Sequence, residues 1–171
     1  MVIYIYTDGS CWHKTREGGI GINLLIKEND KVILQQSFYK GFYDTTINRM
    51  ELLAVLFALK LINNPNVQIN IISDSEYAVN CTKKGINIKN GTYIEYRIDY
   101  KNKDIIDILY NQIQYFTNLN ISWTRGHDGN ENNNIADKLA SIAYHDSKNN
   151  KIKDSGYFTK DVINDIKLFK K

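Results

Sequence analysis

The stretch Val2-Ile3-Tyr4-Ile5-Tyr6-Thr7-Asp8-Gly9-Ser10 decides the fold. Its alternation puts Ile3 and Ile5 on one face and Tyr4, Tyr6 and Asp8 on the other, with β-branched and aromatic residues dominant, which reads as a first strand ending in an acid. Gly18 to Ile26 and Lys31 to Lys40 are two further β-rich runs separated by Glu28-Asn29-Asp30. Strands 1 to 3 are therefore expected as an antiparallel meander. From Asn48 to Ile62 the pattern turns helical, apolar on nearly every side, and it stops at Asn63-Asn64-Pro65, because proline cannot continue a helix. Val67 to Ser73 is a fourth strand, and the helical crossover that leads to it favours parallel pairing with strand 1.

Further along, Ser75 to Lys83 reads as a short helix, and Asp104 to Phe116 as a helix through the spacing of Ile105, Ile108, Leu109, Ile113 and Phe116. Asn120 to Thr124 is a fifth strand, Arg125 to Asn133 a loop, and Asn134 to Ser147 a last core helix. Lys84 to Lys103 has no clean period. The fold class is α/β: a five-stranded mixed sheet, antiparallel over strands 1 to 3 and parallel over strands 1, 4 and 5, flanked by helices. The expected organisation is one domain over residues 1–147, followed by a basic, solvated C-terminal extension over 148–171 with an amphipathic helix from Lys160 to Phe169.

Composition narrows the class without naming it. The chain has 171 residues, 43% hydrophobic and 24% charged, which fits one ordinary globular domain and excludes a multidomain machine. Cys11 and Cys81 are the only cysteines and form no CxxC, so neither a disulfide framework nor a zinc site is expected, and a reducing cytoplasmic location is. The N-terminus reads as a strand rather than a leader. The longest apolar run, Leu52 to Leu59, is far below the ~20 residues that cross a bilayer. A net charge of +3 permits a polyanionic partner but identifies none.

The acids are more informative. If strands 1 and 4 are parallel neighbours, Asp8 and Asp74 end at the same sheet edge, where ligands collect in open α/β sheets. Glu51 heads a helical stripe with Val55, Ala58 and Ile62, placing a carboxylate at the start of a buried line. Asp137 falls in the first turn of the last core helix, beside a packing stripe of Ile135, Leu139 and Ile142. Singly, each acid has an ordinary reading as a turn or helix cap, or, for Glu51, as a partner of Arg49 or a lysine. Together, carboxylates held close repel, and only protons or cations relieve that. Oxygen-only ligands suit magnesium or manganese, and two such ions about 3.5–4 Å apart would drive in-line hydrolysis of a phosphodiester.

Tyr6-Thr7-Asp8-Gly9-Ser10-Cys11, Asn48-Arg49-Met50-Glu51-Leu52, Ser73-Asp74-Ser75-Glu76-Tyr77, Gly126-His127-Asp128-Gly129-Asn130-Glu131-Asn132 and Ala136-Asp137-Lys138-Leu139-Ala140 resemble, in this order, the motifs of type I ribonuclease H. The resemblance spans about residues 2 to 145. It implies a ribonuclease H-like fold and endonucleolytic cleavage of the RNA strand of an RNA-DNA hybrid, leaving 3′-hydroxyl and 5′-phosphate ends. The cofactor it implies is Mg2+, two ions per site, with Mn2+ as an alternative. Asp8, Glu51, Asp74 and Asp137 match the family's metal-binding catalytic carboxylates, and His127 its mobile-loop histidine, implicated in proton movement and product release. Gly9, Ser10, Cys11, Glu51 and Glu76 lie where the family contacts the ribose groups of the RNA strand. Thr46, Asn48 and Arg49 lie where it holds phosphate and minor-groove edges, mostly of the DNA strand.

Three departures stand out. A Gly- and Pro-rich loop is replaced by Trp12-His13-Lys14-Thr15-Arg16-Glu17-Gly18, in which Lys14 and Arg16 could serve phosphate. Ile47 stands where asparagine is frequent. In place of a tryptophan-bearing basic protrusion, Lys83, Lys84, Lys89, Arg97, Lys101 and Lys103 alternate with Tyr93, Tyr96 and Tyr100, which reads either as a substituted grip on the duplex or as a solvated connecting loop. The whole is expected to act free-standing as a monomer, with no organic cofactor and no membrane partner.

Overall fold

The computed structural model describes residues 1–83, 88–89, 92–93, 100–126 and 129–171. Strands β1 (Val2–Trp12), β2 (Glu17–Glu28) and β3 (Lys31–Tyr43) form the antiparallel meander. Helix α1 (Ile47–Lys60) crosses over to β4 (Gln68–Ser73), which pairs parallel with β1. Next come α2 (Glu76–Lys83) and two short strands, β5 (Ile88–Lys89) and β6 (Thr92–Tyr93), paired with each other. After α3 (Lys103–Ile113), strand β7 (Leu119–Trp123) pairs parallel with β4, and α4 (Glu131–His145) follows. Lys84, Tyr96 and Arg97 of the expected grip lie outside the described residues.

Met50 and Leu52 to Leu59 are all buried, because α1 lies between the sheet and α3, whose Ile105, Leu109 and Ile113 close its outer side. A helix apolar on every face is what such a middle layer requires. Helix α4 packs on the opposite face of the sheet and differs from its expected form. It begins at Glu131, where the Asn130 side chain accepts from the Asn132 and Asn133 amides, so Asp137 lies in its second turn. Its buried face is Asn133, Ala136, Leu139, Ala140 and Ala143, whereas Ile142 is 37% exposed. The reason is distance. A Cβ at Gly21 would stand 2.0 Å from the Ala136 carbonyl oxygen, and one at Gly19 2.3 Å from that of Ala140. The helix lies on a glycine track in the sheet, where alanine fits and isoleucine does not.

The C-terminal residues also differ from the expected solvated extension. β8 (Ile152–Lys153) pairs parallel with the end of β3, and β9 (Phe169–Lys170) antiparallel with its middle, giving a seven-stranded sheet. Helix α5 is shorter than expected, Lys160–Asp165, and Phe158 and Ile163 are buried in the core. Asp154 anchors this strap: its Oδ2 accepts from Arg49 Nε at 2.6 Å and from Thr45 Oγ1 at 2.7 Å. Arg49 also donates from both terminal nitrogens to Asp104, at 2.9 and 2.8 Å. Among the described residues, no helix is long and apolar enough to cross a membrane.

Candidate active site

β1 pairs with β4 only as far as Thr7↔Ser73, while its pairing with β2 runs on to Trp12↔Glu17. Asp8 and Asp74 each follow the last shared rung, so parallel register sets the two carboxylates side by side. Glu51 reaches them because the helix and strand almost touch: a Cβ at Gly9 would stand 2.5 Å from the Glu51 nitrogen. Carboxylate oxygens of Asp8, Glu51 and Asp74 lie within 4.8 Å of one another. Asp8 and Glu51 are buried, at 7% and 8% exposure, and Asp74 is half-buried.

Such a cluster holds protons when nothing else neutralises it. Burial, then the charges of Asp74 and Asp137, push Asp8 up to about 8, against an opposing hydrogen bond from the Gly9 amide. Burial, then Asp8 and Asp74, push Glu51 well above the usual carboxylate range. Asp137 thus lies close enough to act on Asp8, though it stands outside the tight trio. Glu51 Oε2 is buried and has no hydrogen-bond partner among the described residues. An orphaned oxygen in an all-carboxylate cleft fits a hard divalent cation, which replaces the protons and satisfies the lone pairs together.

Asn133 went unseen in the sequence. Buried in the first turn of α4, it donates from Nδ2 to Asp74 Oδ2 at 3.2 Å and so fixes the acid least enclosed by the core. Its signal is its place one turn before Ala136 on the buried face, in a segment whose sequence otherwise reads as loop. Trp123 Nε1 donates to the Asp74 carbonyl at 2.9 Å, and a Cβ at Gly126 would stand 3.0 Å from Asp74 Oδ2. The chain after β7 therefore comes directly against the trio; His127 lies outside the described residues.

The expected substrate contacts divide. Gly9 is buried, Ser10 and Cys11 are half-buried along the part of β1 beyond β4, and Thr46, Asn48 and Glu76 are exposed at the starts of α1 and α2. Arg49 is the correction. It is buried, with Nε bonded to Asp154 and both terminal nitrogens to Asp104, so its guanidinium faces the strap rather than Glu51 or a phosphate.

The family model for RNase H matches residues 1–145. The chain belongs to the ribonuclease H family. Relatives carrying the family name match most of the chain. Ribonuclease H of Mannheimia succiniciproducens is 35% identical over 163 residues, covering 91% of this chain and 93% of its own. Ribonuclease HI of Haemophilus influenzae is 37% identical over 157 residues, covering 91% and 96%. Ribonuclease H of Orientia tsutsugamushi is 37% identical over 141 residues, covering 81% and 80%. The meander, the parallel strands 1, 4 and 7 and the flanking helices are the ribonuclease H-like fold expected from the motifs.

Proposed function

We propose that this ribonuclease H hydrolyses the RNA strand of RNA-DNA hybrids as a divalent-metal-dependent endonuclease, leaving 3′-hydroxyl and 5′-phosphate ends. The observation that carries the reading is the trio of Asp8, Glu51 and Asp74 at the open end of the parallel strands, with, among its atoms, a buried oxygen that no described residue pairs with. Asp8, Glu51, Asp74 and Asp137 would hold the metal, magnesium in the first instance and manganese as the alternative. When bound, two such ions supply an activated water and charge neutralisation at the phosphodiester.

The chain's own residues do the rest. Asn133 keeps Asp74 in place through its hydrogen bond. His127, next to the Gly126 that abuts Asp74, is suited to carry a proton near neutral pH. Among the described residues, Gly9 to Cys11 of β1 pair with β2 and not with β4, so this edge can approach ribose hydroxyls. Thr46, Asn48 and Glu76 stand exposed nearby to hold sugar and phosphate. Arg49 supports this surface from within by tying the start of α1 to the strap. The enzyme is proposed to act as a monomer in the cytoplasm, with no organic cofactor.

The test is a set of labelled duplexes of one sequence in magnesium: hybrid, double-stranded RNA, double-stranded DNA and a four-way junction. Only the RNA strand of the hybrid should be cut, and its fragments should carry 5′-phosphates. Comparable cleavage of DNA or of the junction would overturn the substrate assignment.

A further inference from the structure

Beyond the last rung with β4, the β1–β2 hairpin projects past the parallel-strand edge as a ledge beside the acid trio. Alternation along β1 puts Asp8, Ser10 and Trp12 on one face. Four residues at ~3.3 Å each place Trp12 roughly 13 Å along the strand from Asp8, within the span of a few nucleotides on a bound strand. The indole is 49% exposed and stacks on the His13 ring, with centroids 5.8 Å apart and planes 27° from parallel.

This ring stands on a hydrogen-bonded turn. The turn that carries it closes through the Arg16 amide donating to the Trp12 carbonyl at 2.8 Å. It is pinned to the connection between β3 and α1, where Thr45 N donates to Arg16 O at 2.9 Å and Arg16 donates from its guanidinium to Asp44 O at 2.9 Å. Lys14 is exposed at the tip, and Lys151 offsets Glu17 at 3.2 Å, so the ledge offers no net barrier to a polyanion. Trp123, the other tryptophan and equally exposed, has its Nε1 committed to Asp74.

We propose that Trp12, backed by His13, is a substrate-binding residue whose indole packs against the sugar and base edge of the RNA strand as it leaves the acid trio. The inference rests on the hybrid-cleaving reading above and adds to it a contact outside the acids and the Gly9–Cys11 backbone. Aromatic contacts to nucleotides are sequence-tolerant and cost little to preorganise on a strand. Trp12 therefore sets affinity, not the chemical step.

Steady-state cleavage of one hybrid by wild type, Trp12→Ala and Trp12→Phe tests it. Trp12→Ala should raise KM about 5- to 100-fold with kcat within about twofold, and Trp12→Phe should recover most of the loss. In an Asp8→Asn, Trp123→Phe background, where Trp12 is the remaining indole, hybrid should quench the fluorescence saturably. An unchanged KM in Trp12→Ala, a loss confined to kcat, or fluorescence indifferent to hybrid would overturn the proposal. Absence of hybrid cleavage by wild type would instead overturn the functional reading beneath it.

Discussion

Asp8→Asn should abolish hybrid cleavage in magnesium, by at least about a thousandfold, while hybrid binding persists. The substitution keeps the shape of the side chain and one acceptor oxygen but removes one of the three charges that meet within 4.8 Å. It leaves the Gly9–Cys11 edge and the starts of α1 and α2 untouched, so the surface for the duplex remains. Retained turnover would refute the assignment of the trio as the metal site.

The same substitution should stabilise the metal-free protein in alkali. Asp8 sits at about 8 in the folded chain against 3.8 for an ordinary aspartate, chiefly through burial. Between those values the folded state holds a proton that the unfolded state has released, so stability falls as pH rises from about 4 towards 8. Glu51 contributes in the same direction. Melting in EDTA should therefore show wild type losing stability across this window, with Asp8→Asn losing less and melting higher at pH 9. Added magnesium should restore wild type more than the variant. A wild-type melting temperature that rises from pH 5 to pH 9 in EDTA would contradict the electrostatic account.

The second large effect lies at the strap. Arg49, Asp104 and Asp154 have side chains at most 6% exposed, and Asp154 also accepts from the Thr45 hydroxyl. Removing one partner of a buried ion pair strands the others without solvent, at a cost of about 3–5 kcal/mol. Asp154→Ala should therefore lower the urea midpoint by that equivalent with little change in slope. Burial works upward on Asp104, but the Arg49 hydrogen bonds and the Phe158 amide outweigh it and hold the carboxyl below its ordinary range. Its contribution is present above an ordinary aspartate pKa and is lost in acid below it. A cost under about 1 kcal/mol would mean that the strap adds little to the domain.

The sheet and the acids were legible because they follow local rules. Alternation in Val2–Thr7 marks β1, the crossover helix implies parallel pairing with β4, and those two facts alone place Asp8 beside Asp74. Glu51 was legible as a charge at the head of an apolar line. The α4 face was not, because periodicity favours large apolar residues. Ile135 and Ile142 drew the stripe to the wrong side, whereas the true contact is alanine against Gly19 and Gly21, more than a hundred residues away in sequence. Asn133 was lost with that helix start. Arg49 looked like a phosphate ligand because its two carboxylate partners, Asp104 and Asp154, lie 55 and 105 residues on. A basic tail looked solvated for the same reason: its anchors, Asp154, Phe158 and Ile163, are single residues without a pattern.

The proposed divalent-cation site at the trio can be tested directly. The direct measurement is cleavage of an end-labelled hybrid by chelated enzyme, with magnesium titrated back. No turnover is expected in EDTA, and RNA-strand cleavage should return saturably as magnesium is added. Turnover in EDTA equal to that in magnesium would contradict the proposed site.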